Sequence, residues 1–185
     1  MFVQVRRDDK IAVITAHRGA MSVDASGAQG GGTIRVGGDY QGRNADVQNA
    51  TVSYVGKDVT LKADAKQAGD GGKVIVWADQ TTRFYGDISA QGGAQSGDGG
   101  FVEVSGKQNL AFSGSVVTSA PRGRTGTLLL DPGDLYVGAD PRSGITPAKD
   151  TGTPPDVVFE APGATAFYVP ASSLTSDTKY VLTAL

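Results

Sequence analysis

The chain contains no cysteine, so it has neither a disulfide framework nor a thiolate metal site. Aromatic residues are scarce at 7%, which points to a narrow core of valine, isoleucine, leucine and alanine. There is one histidine, His17. Any Ser-His-Asp arrangement would depend on it alone, and no elbow serine marks one. Neither sign of charge is in excess, with 17 basic and 19 acidic residues and a net charge of −2. That balance supplies no electrostatic reason for a nucleic-acid partner or insertion at an anionic membrane. No stretch approaches the roughly 18 consecutive apolar residues of a bilayer span. The start, Met1 to Lys10, carries Asp8 and Asp9, and the apolar run Ile11–Ile14 behind it is too short for a secretion signal. No signal peptide is expected in this chain.

Glycine is what the chain has in plenty: 27 of 185 residues, twice the usual share of about 7%. Much of it falls in turns that lead into an apolar-x-apolar strand. The copies are Gly31-Gly32-Thr33-Ile34-Arg35-Val36, Gly71-Gly72-Lys73-Val74-Ile75-Val76, Gly99-Gly100-Phe101-Val102-Glu103-Val104, and a weaker Gly126-Thr127-Leu128-Leu129-Leu130. The last glycines are 40, 28 and 26 residues apart, a period typical of stacked repeats. Each repeat would bury its apolar face against its neighbours.

A second short strand ending in a small residue precedes each turn: Ser22–Ala25, Thr60–Ala63, Asp87–Ala90 and Val116–Ser119. Period-2 alternation places Val23, Leu61, Ile88 and Val117 inward with Ala25, Ala63, Ala90 and Ser119. After the turns, Ile34, Val74, Val102 and Leu128 face inward with Val36, Val76, Val104 and Leu130. Arg35, Ile75, Glu103 and Leu129 are then assigned to an outer wall. A third strand fits near Ile11–Ile14, Val52–Val55, Arg83–Tyr85 and Leu110–Phe112. Three strands per repeat with glycine corners predict an all-β chain wound as a parallel β-helix, a solenoid. Glycine is expected at the corners because the backbone there needs positive φ. Gly37–Ala50 is expected to loop out and to account for the long first step.

The chain changes character at Asp131-Pro132. Seven of the eight prolines lie from Pro132 to Pro170, and proline cannot donate to a ladder. The expected organisation is therefore a repeat region over 1–131, an irregular Pro-rich crossing or linker over 132–165, and a further partial repeat over 166–185. No cap is evident at either end, although open strand edges call for one.

The runs Gly72-Lys73-Val74-Ile75-Val76-Trp77-Ala78-Asp79, Thr81-Thr82-Arg83-Phe84-Tyr85-Gly86, Gly99–Gly106 and Gly126–Pro132 resemble the repeat region of filamentous-haemagglutinin-like exoproteins. These are large secreted bacterial adhesins of the two-partner secretion type. The resemblance is close over about residues 21–132 and loose beyond. It implies a right-handed β-helical shaft and an extracellular or cell-surface location. It also implies export of the full-length protein by an outer-membrane transporter, and adhesion to a receptor or glycan on a host or neighbouring cell. The family's secretion domain is not recognisable here, so the chain resembles an interior segment of the shaft, excised or from a truncated frame.

Catalysis is not expected, and neither is a cofactor or metal. The competing reading is a carbohydrate-active β-helix with clustered carboxylates on one wall. Asp24, Asp79, Asp87 and Glu103, with Arg35 and Lys62, are available, yet they do not recur at equivalent positions. A fragment with no function of its own is a third reading. Gly69-Asp70-Gly71-Gly72 and Gly97-Asp98-Gly99-Gly100 suggest calcium corners, but the nonapeptide spacing is missing. The glycine-rich run Gly92–Gly100 lacks the Gly-Lys-Ser/Thr ending of a phosphate loop. Trp77, together with Arg83, Phe84 and Tyr85, is the patch to test for ligand contact, although packing of Trp77 under a neighbouring loop is the simpler expectation.

Overall fold

A computed structural model describes residues 3–6, 10–16, 19–131, 136–137, 157–160, 168–169 and 179–183. It is all-β, with no α-helix among the described residues. The first strands are β1 (Val3–Arg6), β2 (Ile11–Ile14), β3 (Met21–Asp24) and β4 (Thr33–Val36). Next come β5 (Val52–Val55), β6 (Val59–Lys62), β7 (Lys73–Ala78), β8 (Thr81–Phe84) and β9 (Asp87–Ser89). They are followed by β10 (Phe101–Gly106), β11 (Asn109–Phe112), β12 (Ser115–Val117) and β13 (Thr127–Leu130). Four more strands are β14 (Tyr136–Val137), β15 (Val157–Glu160), β16 (Tyr168–Val169) and β17 (Lys179–Thr183).

These strands form three sheets, and over β2–β13 each sheet takes one strand from successive repeats in turn. Over that span each strand pairs in parallel with its counterpart one repeat away. Thus Ile34 lies beside Val74 and Val74 beside Val102, which in turn lies beside Leu128. A second row runs through Val36, Val76 and Val104, and Val23, Leu61 and Ile88 form a row in another sheet. Most of these side chains are fully buried in one continuous core. Parallel ladders stack equivalent residues directly, so a row of like aliphatics fills its layer without gaps. In the third sheet Phe84 and Phe112 stack with centroids 5.4 Å apart and planes 12° apart. Phe84→Ala would leave a cavity with no neighbour able to fill it. Urea unfolding of that variant is expected to show a loss of about 3–5 kcal/mol.

The fourth repeat is shifted by one residue from the sequence expectation. Val116, not Val117, lies beside Ile88 and is buried, and the next inward position is Thr118, not Ser119. Two adjacent valines satisfy either parity. The turn decides between them: Ser113-Gly114 has the same length as Tyr85-Gly86, so the ladder continues without slipping.

The glycine pairs also serve a different purpose from the one expected. Positive φ belongs to Gly30, Gly69 and Gly97, which lie just ahead of the pairs. The pairs themselves are needed because successive corners lie in backbone contact. A Cβ on Gly71 would overlap the Ala90 carbonyl, and one on Gly99 the Thr118 carbonyl.

Two further features depart from the expectation. β1 runs antiparallel to β2, with Val3 opposite Ile14, and so covers an edge for which no cap was evident. Two strands, β14 and β15, fall in the segment expected to be irregular. The final strand β17 pairs in parallel with β13, and β15 lies outside β17 although it precedes it in the chain.

Candidate functional site

Much of the outer face of the sheet containing β4, β7, β10 and β13 is covered, although Arg35 on that face stays exposed. Ile75, Trp77, Glu103, Leu129 and Asp131 are all buried there. The cover is the Gly37–Ala50 excursion, which folds back as a strap instead of looping into solvent. At its tip is a single 3-10 turn, Tyr40–Gly42, with Gln41 at φ 51. Asp39 holds the entry. Its carboxylate accepts from the Tyr40 N–H at 2.8 Å and the Asn44 amide at 2.7 Å, and it pairs with Arg35 at 3.0 Å. The Asn44 amide, the Arg35 guanidinium and the Tyr40 N–H together keep the Asp39 carboxyl far below the usual carboxylate range.

The left-handed turn at Gln41 aims its backbone N–H at both oxygens of Glu103, at 3.2 and 3.1 Å. The Gln41 side-chain amide donates to Asp131 at 3.4 Å. The other oxygen of Asp131, Oδ1, is buried and has no hydrogen-bond partner among the described residues. Burial, opposed by the Gln41 N–H, raises the Glu103 pKa to about 7. Burial raises Asp131 to about 6 against the Gln41 amide and Arg43. Both carboxyls are closed under the strap without an ion pair among the described residues, and burial favours their protonated forms.

Trp77 lies under the same strap and is only 1% exposed. Gly38 and Gly42 rest on its indole, where a side chain on either would collide with the ring. Its Nε1 donates to Asp79 at 3.2 Å, and Asp79 also accepts from Asn49 of the strap at 3.0 Å. Asp79→Ala removes both bonds and is expected to cost about 1–2 kcal/mol. Because Trp77 is the only tryptophan, its emission should shift to the red as the strap loosens. An unmoved maximum would mean that the strap is held without Asp79.

The other sequence-predicted site residues do not converge. Phe84 points into the core while Arg83 is exposed and Tyr85 half-buried, so Trp77, Arg83, Phe84 and Tyr85 form no common surface. Tyr85 instead packs against Tyr54, with centroids 5.7 Å apart. Asp24 accepts from the Ser26 N–H at 2.8 Å, and Asp87 accepts from the Ser115 hydroxyl. Lys62 is exposed beside Asp24 in the ladder. The expected carboxylate candidates are thus split between two sheets, Asp24 and Asp87 on one and Asp79 and Glu103 on or beside another, and each has its own structural partner. No three His, Cys, Asp or Glu side chains among the described residues are grouped to hold a metal ion. His17 lies outside the described residues.

Asp70 and Asp98 form a ladder between corners. Asp70 accepts from the Asp98 N–H at 2.7 Å, and Asp98 accepts from the Arg124 N–H at 2.8 Å and from its guanidinium at 2.6 and 2.9 Å. The Arg124 N–H, then the guanidinium, lowers the Asp98 pKa. Calcium would have to displace these donors, so the corner geometry disfavours it.

Beside that ladder runs an open groove of about 720 Å3 that crosses four successive corners. Its floor is the glycine pairs. One rim carries Asp70, Asp98 and Arg124, and the other carries Thr33, Lys73, Phe101 and Thr127, which are aligned by the sheet register. Next to Lys73 and Phe101 stands Tyr40, at 41% exposure the one large hydrophobic residue left open among the described residues. Its ring meets Phe101 edge-on at 5.7 Å, with the Lys73 ammonium 5.2 Å from its centroid.

No protein-family model and no curated protein matches the chain.

Tyr40, Gln41 and Asp131 were not singled out from the sequence. The available signal was the outward row of Ile75 and Leu129 next to Trp77, which is too apolar for a wall facing water.

Proposed function

We propose that the three sheets are the faces of a right-handed parallel β-helix, and that the chain is a non-catalytic shaft segment of a secreted bacterial surface adhesin. The observation that carries this reading is the register: three strands per repeat, each lying beside its own counterpart one repeat away. Such a stack is stiff and extends by adding repeats, as a spacer between a cell surface and its target requires. The resemblance of residues 21–132 to filamentous-haemagglutinin-like exoproteins supports the adhesive setting and export of the full-length protein by a two-partner outer-membrane transporter. The separation of the carboxylates, each with its own structural partner, weighs against a polysaccharide-cleaving wall.

Beads coated with the purified full chain are expected to adhere to epithelial or bacterial cells above albumin-coated controls. Small-angle scattering of the same sample should give a rod-shaped profile. A spherical profile would remove the shaft, and beads no more adhesive than albumin would remove the adhesive role. Release of reducing ends from plant or bacterial polysaccharides would replace it with catalysis.

A further inference from the structure

We propose that the glycine-floored groove and the Tyr40–Phe101–Lys73 platform at its rim form a binding site for a neutral linear polysaccharide. The proposal rests on the adhesive reading for its setting and names the class of ligand contacted.

Shape is the first support. Glycine pairs leave the floor without side chains, so the rims stand above it over four corners, about 14 Å at the spacing of parallel strands. A channel of that form accepts a narrow, extended chain.

The second support is Tyr40. An exposed aromatic ring on a loop is ordinarily mobile, yet this one has a held backbone and two ring contacts. Asp39 holds its N–H, Phe101 meets its ring edge and Lys73 covers it. Holding it there requires Gln41 in a left-handed conformation that costs on the order of 1 kcal/mol or more for a residue with a Cβ. A rigid aromatic face beside a groove suits the apolar C–H face of a sugar ring, whose hydrogens carry partial positive charge toward the π system.

Backbone bonding and charge narrow the ligand class. An extended peptide docks by adding hydrogen bonds to free backbone donors and acceptors. Here the floor N–H groups are already used. Gly31 donates to Asp70, Gly71 to Asp98 and Gly99 to Arg124, while Gly72 and Gly100 donate to Ala63 and Ala90. Recognition therefore falls to rim side chains, which offer hydroxyl, carboxylate and ammonium groups to ligand hydroxyls. Asp70 and Asp98 balance Lys73 and Arg124, so the groove favours neither an anionic nor a cationic chain.

The test is affinity electrophoresis of the full chain through gels containing hydroxyethyl cellulose, xylan, glucomannan or polygalacturonate. Retardation is expected in at least one of the three uncharged polymers and not in polygalacturonate. Tyr40→Ala should weaken it at least tenfold, while Tyr40→Trp keeps it. An unchanged melting temperature in both variants would show that the fold is intact. The proposal is overturned by passage through all uncharged gels, by equal retardation of Tyr40→Ala, by preference for polygalacturonate, or by capture of extended peptides instead. If chain-coated beads still adhere to cells when no gel retards the protein, only the groove assignment fails and the adhesive reading stands.

Discussion

Gly99→Val is expected to destabilise the protein by about 4 kcal/mol or more, and in this context to abolish cooperative folding. The Cβ would overlap the Thr118 carbonyl oxygen and crowd the Gly126 N–H. Both are backbone groups of the adjacent corner, so no side chain can rotate away. Relief requires separating two corners, which breaks the bonds from Gly99 to Arg124 and from Gly126 to Thr118. The defect would also spread, because β10 pairs only with its counterparts one repeat away, β7 and β13. Ala94→Val, on an exposed turn, serves as the control and should change stability by less than about 0.5 kcal/mol. Urea unfolding followed by Trp77 emission measures both. A Gly99→Val protein within about 1 kcal/mol of the parent would rule out backbone contact between the corners.

Between about pH 5 and about pH 8 the protein is expected to lose stability as the solution becomes more alkaline. Glu103 binds its proton more tightly in the fold, up to about 7, than in the unfolded chain at 4.5. Across that interval the native state holds more protons than the unfolded one, so stability falls with rising pH. The contribution is fully present below the unfolded value and is lost as pH rises through about 7. It corresponds to roughly 3 kcal/mol, or about 6–12 °C in Tm for a chain of this size. Asp131, raised to about 6, acts in the same direction at slightly lower pH. The opposite sign applies to Asp39, Asp24 and Asp98, whose pKa values are depressed. Their stabilisation is present above the unfolded value of 3.8 and is lost as the solution becomes more acidic. Maximum stability should therefore lie on the mildly acidic side of neutrality. Glu103→Gln removes the charge and keeps an acceptor for the Gln41 N–H. It is expected to melt several degrees higher than the parent at about pH 8 and to show a flatter pH profile. Parallel Tm curves for parent and variant would mean that Glu103 is not closed in by the strap.

The corners and the strap were unequally legible in the sequence. Period-2 alternation, small corner residues and recurring glycine pairs are local signals, and they identified most strands to within a residue or two. Glycines were correctly placed at corners, and the positive φ expected there is found at Gly30, Gly69 and Gly97, whereas the pairs themselves serve backbone contact. Nothing local separates a glycine that needs positive φ, such as Gly97, from one that touches the next corner, such as Gly99. Among the candidate site residues, the packing of Trp77 under a loop was foreseen. The buried pair Glu103 and Asp131 was not, because alternation says only that Glu103 points away from the core. Whether anything covers that face depends on a segment some 60 residues earlier in the chain.

By itself, the sequence determined the all-β class, the repeat and the inward rows through Ile34, Val74, Val102 and Leu128. Backbone geometry ties side-chain parity to position within a strand, so a chain of short apolar-x-apolar runs has few other ways to bury its aliphatics. Only the tertiary structure decided that Val116 and not Val117 is inward, that β1 runs antiparallel and that β17 lies between β13 and β15. It also decided that the strap closes over Glu103 and leaves Tyr40 exposed beside the groove. Each of these depends on which distant backbone supplies the matching hydrogen bonds, and neighbouring residues carry no record of that choice.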